Sequence, residues 1–393
     1  MPTYFANYLL AGSLGLVSIV IPMLLARREI SQAYIMLALF LVFTSLANAL
    51  PIFIQAAPGI ELYSLAIVIP SYICQPIFLW FYVKAICSPT DWHIKQNRYL
   101  HFVLPALALI YALVLIFMPS EYLVELMQGQ EQTLSQTAEL LAMSTFAFMV
   151  IWIVQSSFYI YLIISRLITY RRELKQLFAS NDKREMGWLF FIISAISVAW
   201  LLAFCALLLS FSGEANNALT NTLLLTYFAL LWLMSFWGLR QKPGFNERYL
   251  QQEDLDAIAT LTTMEDTSAK YNRSGLDEAR SEKIADKIEQ AMIAKSLYLN
   301  PDLSLKLLAT EVAEKPNYVS QVLNQKLNSS FFDYVNSYRI EHSKQLISEN
   351  KLPIIEVAFA SGFNAKSSFY KAFKMKTGLT PKQFATNEAE LGE

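Results

Sequence analysis

The sequence predicts an all-α chain: a seven-helix transmembrane bundle followed by a soluble domain of two tandem helix-turn-helix units. Three observations carry that expectation. Residues 1–240 are dominated by Leu, Ile, Phe, Ala, Val and Trp and break into seven apolar stretches. Residues 245–393 are mixed and highly charged, and within them the pattern of helix, tight turn and helix occurs twice. Averages over the chain (55% hydrophobic residues, mean hydropathy +0.36, net charge -1) conceal this division.

The apolar stretches lie near 7–26, 31–54, 62–86, 99–118, 140–164, 188–211 and 218–239. Each approaches or exceeds the roughly 20 residues a helix needs to cross a bilayer. Pro22, Pro51, Pro70, Pro76 and Pro105 fall inside them, which membrane helices tolerate better than soluble ones. With the N-terminus outside, the inner side collects Arg27, Arg28, Lys84, Lys95, Arg98, Arg166, Arg171, Arg172, Lys175, Lys183, Arg184, Arg240, Lys242 and Arg248. The outer segments 1–6, 55–61, 119–139 and 212–217 hold no Lys or Arg. Six or eight spans would break this alternation. The expected location is therefore a bacterial inner membrane, with the N-terminus outside and the C-terminus cytoplasmic. No basic residue precedes the first stretch and Arg27-Arg28 follow it, so it reads as a reverse signal-anchor and not as a cleaved signal peptide.

Composition also argues against several function classes. Cys74, Cys87 and Cys205 are odd in number, lack CxxC spacing and sit in or beside apolar segments, so they read as packing residues. The spans hold almost no ionisable groups of the kind that mark ion or proton paths. The last span has no lysine, which excludes a retinal Schiff base there. His93 and His101 lack carboxylate or cysteine partners at metal-ligand spacing and read as interfacial residues. Asn48, Gln75 and Gln155 either hydrogen-bond between helices or line a path. The outer loop 119–139 places Tyr122, Leu123, Leu126 and Met127 for a short amphipathic helix, either a lid over a ligand pocket or a solvated connector. No constellation of nucleophile, base and orienting group is present, so neither enzymatic activity nor a cofactor is expected.

Residues 241–276, with Pro243, Gly244, Gly275 and a Thr/Ser/Asp-rich run at 260–268, read as a cytoplasmic linker between the 1–240 sensor region and a 277–393 domain. Ser274 and Asp277 have capping-box spacing ahead of a helix to about Leu297. Its stripe of Ile284, Ile288, Ala291 and Met292 either docks on the following domain or pairs with a second copy. The first helix-turn-helix unit, about 302–328, has Ser304 as N-cap, Leu305, Leu308, Ala309 and Val312 on one face, and Pro316 opening its second helix. That helix turns Asn317, Ser320, Gln321, Asn324 and Gln325 outward, and Asn and Gln amides suit adenine in the major groove. A long helix from about Phe331 to Glu349 leads to the second unit, about 353–376. There Gly362 is an expected left-handed residue. Lys366, Ser367, Tyr370, Lys371 and Lys374 point out from the final helix, opposite Phe369, Ala372 and Phe373. Six lysines and one acid between Lys351 and Phe384 suit a phosphate backbone.

The blocks LSLKLLATEVAEKPNYVSQVLNQKLNSSFFDYVNSYRIEHSKQLI and IIEVAFASGFNAKSSFYKAFKMKTGLTPKQF resemble the DNA-binding domain of the AraC/XylS family of transcription regulators. The preceding KYNRSGLDEA resembles the lead-in of its membrane-attached members. The resemblance implies two helix-turn-helix subdomains entering successive major-groove segments on one DNA face. Asn317, Ser320 and Gln321 would contact bases from the first, and Lys366, Ser367, Tyr370 and Lys371 from the second. Ser343 stands where the family usually has Ala, and Phe384-Ala385 replace a frequent Tyr-Arg. The first unit is charge-poor, so one copy grips few phosphates and a homodimer is expected. Promoter DNA, membrane lipid, RNA polymerase and an unidentified signal ligand complete the expected partners. Two alternatives stay open: a receptor or transporter whose C-terminal domain docks a protein, and a regulator released by proteolysis in the linker.

Overall fold

The computed structural model describes residues 2–28, 31–56, 59–88, 92, 94, 96–128, 135–180, 187–198, 217–241 and 277–391. The linker run at 260–268, the Ser274 half of the capping box, Cys205, His93, Lys183 and Arg184 lie outside these residues. Among the described residues there is no sheet, only an isolated antiparallel bridge between Phe178 and Ser304. The chain divides into two compact units, residues 1–167 with 186–244, and residues 168–185 with 245–393. The division at residue 240 expected from composition therefore misses one segment: 168–185 folds with the second unit.

The first unit contains α1 (Pro2–Leu25), α2 (Ala33–Asn48), α3 (Leu50–Ala56), α4 (Ser64–Ile86), α5 (Val103–Phe117), α6 (Ser120–Gln128), most of α7 (Gln136–Leu177), α8 (Gly187–Val198) and α9 (Asn217–Arg240). Four stretches, Asn7–Leu25, Ile60–Ile86, Tyr99–Phe117 and Gln136–Leu177, are long and apolar enough to cross a membrane. Of the other three expected spans, 31–54 holds the shorter apolar helix Ala33–Asn48, 188–211 is described only over Gly187–Val198, and 218–239 falls within α9. The expected 31–54 span is interrupted between α2 and α3, two residues before Pro51, whose missing N–H ends the hydrogen-bond ladder. α1 packs on α2 and α9, α2 on α4, and α4 on α5. Leu37 presses so close to Gly238 that a methyl group there would collide with it.

Some polar residues of this unit are engaged, whereas Gln75 Nε2 and the Ser156 and Ser235 hydroxyls are buried without a hydrogen-bond partner among the described residues. Gln155 donates to the carbonyl of Ile73 at 3.2 Å, tying α7 to α4, whereas Asn48 returns to Thr44 of its own helix at 2.8 Å. The Tyr111 hydroxyl meets Ser144 at 2.9 Å and Thr145 at 2.8 Å. His101 Nδ1 lies 2.6 Å from the Tyr159 hydroxyl, in keeping with an interfacial role. The expected amphipathic helix of the 119–139 loop is α6. It buries Leu123 against Ala66, Ala112, Leu115 and Leu141. Glu125 accepts from the Ser135 hydroxyl at 2.6 Å, and that bond holds its carboxyl below the usual range. By contrast, the flanks of α5 and α7 expose large apolar side chains, among them Leu109, Ile110, Phe117, Phe146, Val154 and Phe158.

The second unit contains the end of α7, then α10 (Glu278–Ala294), α11 (Leu305–Glu311), α12 (Pro316–Gln325), α13 (Phe331–Ser348), α14 (Ile354–Ala360), α15 (Lys366–Thr377) and α16 (Pro381–Leu391). The Ser304 hydroxyl caps α11 by accepting from the Leu307 N–H at 3.3 Å, and Ser330 caps α13 by accepting from Asp333 N–H at 3.1 Å. Pro316 opens α12 as expected. The α10 stripe is taken up within the chain: Ile284, Ile288 and Met292 are fully buried and α10 packs on α12. Around that seam Lys326 pairs with Glu282 at 3.0 Å and Lys287 with Glu314 at 2.7 Å. The Lys287 hydrogen bond holds the Glu314 carboxyl below its ordinary pKa. A second core gathers Ile340, Ile347, Val357, Ala358, Phe363, Phe369 and Phe373, closed by Phe384. Its rings meet edge to face at 5.3–5.5 Å.

The two helix-turn-helix units share a turn with one difference. In the first, Ala313 takes φ 54 and Glu314 N–H bonds the Ala309 carbonyl at 3.0 Å. In the second, Gly362 takes φ 85 and Phe363 N–H bonds the Ala358 carbonyl at 3.1 Å. Both are left-handed helix endings. At 362 a Cβ would meet the Tyr298 carbonyl oxygen at 2.5 Å and Leu299 Cα at 2.9 Å, both backbone atoms. Gly362→Ala should therefore destabilise the chain by about 1–3 kcal/mol or more, whereas Ala313→Gly should be neutral or stabilise it by up to about 1 kcal/mol. Thermal unfolding of the full chain measures both.

Candidate nucleic-acid interface

The second helix of each unit, α12 and α15, is the element expected to meet DNA. Between them runs α13, whose 18 residues span about 27 Å at 1.5 Å per residue. One turn of B-DNA is about 34 Å.

The α15 face is open. Phe369 and Phe373 are fully buried, while Lys366, Ser367, Lys371 and Lys374 are exposed. Tyr370 is half-buried, edge-on to Phe369, with the Lys366 ammonium 5.3 Å from its ring centre. This places four donor-bearing side chains on one solvent-facing surface, with the aromatic core behind fixing the helix.

The α12 face is different. Val319, Val322 and Leu323 form the buried side as expected, and on the polar side Gln325 is exposed, Asn317, Gln321 and Asn324 are half-buried and Ser320 is buried. Ser320, expected to point outward, is only 3% exposed, and its hydroxyl lies 3.3 Å from Asn324 Nδ2. Asn324 also donates to the Ser320 carbonyl at 2.9 Å and to Gln176 Oε1 at 3.1 Å. Gln321 donates to Gln325 at 3.0 Å. Asn317 is half-buried, and its Oδ1 is enclosed without a hydrogen-bond partner among the described residues. All four expected reading residues sit together, yet none is openly exposed. Their neighbour Gln176 belongs to a segment that sequence reasoning counted only as a basic loop.

Arg339 organises the space behind these helices. Expected on one side of the long helix, it is fully buried. Its Nε donates to the Tyr298 carbonyl at 2.7 Å, Nη2 to the Asn300 carbonyl at 2.8 Å and Nη1 to the Ala179 carbonyl at 3.2 Å. The guanidinium also lies over the Phe363 ring at 5.5 Å. Burial lowers its pKa to about 10, partly offset by Asp302, and it stays charged at neutral pH. One side chain thereby links α13, the 298–300 turn, the 168–185 segment and the second-unit core. The apolar Leu177-Phe178-Ala179 closing a charged run was the sequence signal for that segment's burial.

Residues 308–387 match a family model described as a helix-turn-helix domain. The chain carries a C-terminal helix-turn-helix domain. An uncharacterized HTH-type transcriptional regulator of Staphylococcus aureus is 30% identical over 122 residues, covering 31% of this chain and 15% of that protein. The uncharacterized HTH-type transcriptional regulator YtdP of Bacillus subtilis is 25% identical over 146 residues, 35% of this chain and 18% of YtdP. The chain thus spans under a fifth of the length of these curated relatives. No solved structure matches it.

Replacing Arg339 removes the side-chain donor from the carbonyls of Tyr298 and Asn300 and one of two from that of Ala179. Arg339→Met should cost about 3–5 kcal/mol, and Arg339→Lys, which cannot reproduce the planar fork, should recover only part of it. Chemical denaturation of the full chain followed by helical circular dichroism tests this ranking.

Proposed function

We propose that this chain is a membrane-embedded one-component transcription regulator. The observation that carries the reading is two helix-turn-helix units joined by α13, with the second presenting Lys366, Ser367, Lys371 and Lys374 to solvent. In this reading α15 lies in a major groove. Lys371 and Lys374 neutralise phosphates or donate to guanine, and Ser367 and Tyr370 supply shorter contacts. Asn317, Ser320, Gln321 and Asn324 of α12 address the neighbouring groove segment. A face with so few charges makes one copy a weak binder, which favours a homodimer on promoter DNA, with RNA polymerase recruited or blocked there.

The membrane part of the proposal rests on surface chemistry. Apolar helices whose flanks expose Leu, Ile, Phe and Val along their length are unfavourable in water and suited to lipid. In this reading the chain crosses a bacterial inner membrane through the seven apolar segments of its sequence, keeps the helix-turn-helix domain on the cytoplasmic side, and senses a signal from outside or from the bilayer.

The full chain, purified in detergent, should retain a selected subset of a random-sequence duplex pool. Lys371→Ala should weaken all retention and lower the salt dependence by about one counterion. Gln321→Ala should instead relax sequence preference, at a cost of about 1–3 kcal/mol for the preferred site. Retention without sequence selection, unaffected by either change, contradicts the reading. For the topology, reporter fusions after Gln130 and after Lys242 should report opposite sides of the membrane.

A further inference from the structure

Residues 175–180 leave the end of α7 and settle on the helix-turn-helix domain. Leu177, Phe178 and Ala179 are buried, with Ala179 only 1% exposed. Ala179 is held in both directions: its N–H donates to the Leu303 carbonyl at 3.2 Å, and its carbonyl accepts from Arg339 at 3.2 Å and Asn336 at 3.5 Å. Phe178 pairs with Ser304 as an antiparallel bridge. Gln176 takes the side chain of Asn324, and the Lys175 ammonium lies 5.5 Å from the Phe332 ring centre. Lys175 also joins Ser367 and Lys371 in lining a cleft of about 600 Å³ between α13 and α15. The stretch therefore lies beside both helices expected to meet DNA.

We infer that residues 168–180 are an internal partner of the DNA-reading surface, which they and DNA occupy in mutually exclusive fashion. This rests on the reading of α12 as a base-contacting helix. Two independent features support it. The first is the asymmetry between the helices: Asn324 of α12 is bonded to Gln176 and Ser320 beside it is buried, while Lys366, Ser367, Lys371 and Lys374 of α15 are exposed. The second is charge. The stretch carries Arg171, Arg172 and Lys175 against Glu173, so the lysine-rich α15 side, where Lys175 and Lys371 line one cleft, repels it. The α12 face, made of Asn, Ser and Gln, does not. What seats the stretch is apolar burial and backbone hydrogen bonding, neither of which requires opposite charge. Because residues 168–177 continue α7 covalently, any signal that moves the end of that helix changes how often the stretch is docked.

The test is a reversible lock. In a full chain with Cys74, Cys87 and Cys205 replaced by alanine, Phe178→Cys and Ser304→Cys introduce a cysteine pair at the bridge, away from every proposed reading residue. The disulfide should form within one chain on mild oxidation, and duplexes selected by the reduced protein should slow its formation. The oxidised protein should retain those duplexes on the order of tenfold less well or worse, with recovery on reduction. A second variant avoids the new disulfide: Gln176→Ala in the native chain should tighten retention roughly two- to tenfold. No disulfide, a disulfide joining two chains, or a locked protein that retains duplexes as well as the reduced one overturns the inference, as does unchanged retention by Gln176→Ala. If the reduced protein retains no duplex at all, the DNA-reading proposal itself fails, and this inference with it.

Discussion

The arrangement of the helix-turn-helix domain depends on a buried positive charge. A guanidinium removed from water is costly unless its donors find partners. Arg339 finds the carbonyls of Tyr298, Asn300 and Ala179, from segments far apart in sequence. Each carbonyl is thereby held at a fixed distance from α13, the helix that spaces the two units. The left-handed turn at Gly362 packs against the same 298–299 backbone, so the second unit is anchored where the Arg339 network is anchored. In the proposed reading two helices address neighbouring turns of DNA, which requires a fixed separation, and this network ties together the segments around α13 that would fix it.

Much of this was legible in the residues. The Ser304 cap, Pro316 at the start of α12, the left-handed Gly362 and the inward Phe369 and Phe373 follow from local rules that need no knowledge of distant contacts. The interruption before Pro51, which shortens the helix at 33–48, was less legible, because hydropathy counts apolar residues without registering where a ladder of hydrogen bonds breaks. The docking of 175–180 was missed although a signal was present. Its basic residues fitted a topological role so well that the buried Leu177-Phe178-Ala179 beside them drew no separate explanation. Arg339 was half legible: its spacing put it on the side of the long helix with Val335, Ser343, Leu346 and Ile347, but the carbonyls it meets belong to segments distant in sequence.

The contrast between the reading helices gives the domain a direction. α15 is basic, open and backed by aromatic rings, and so suits the long-range and sequence-independent part of DNA binding. α12 is amide-rich and charge-poor, and so suits discrimination between base pairs at short range. Covering α12 while leaving α15 open would leave a protein that still finds DNA but does not choose among sequences. A switch placed on the discriminating helix needs little energy, since few charge contacts have to be offset when DNA displaces the cover.

The central claim is that one chain grips DNA with two helices set about one groove turn apart. Hydroxyl-radical footprinting of the full-length protein on a duplex it has selected tests that claim most directly. The account predicts two protected patches on the same face, their centres about 10 base pairs apart, with protection at the α12 patch lost in Gln321→Ala and at the α15 patch in Lys371→Ala. A single patch, or two patches that both respond to the same substitution, would contradict it.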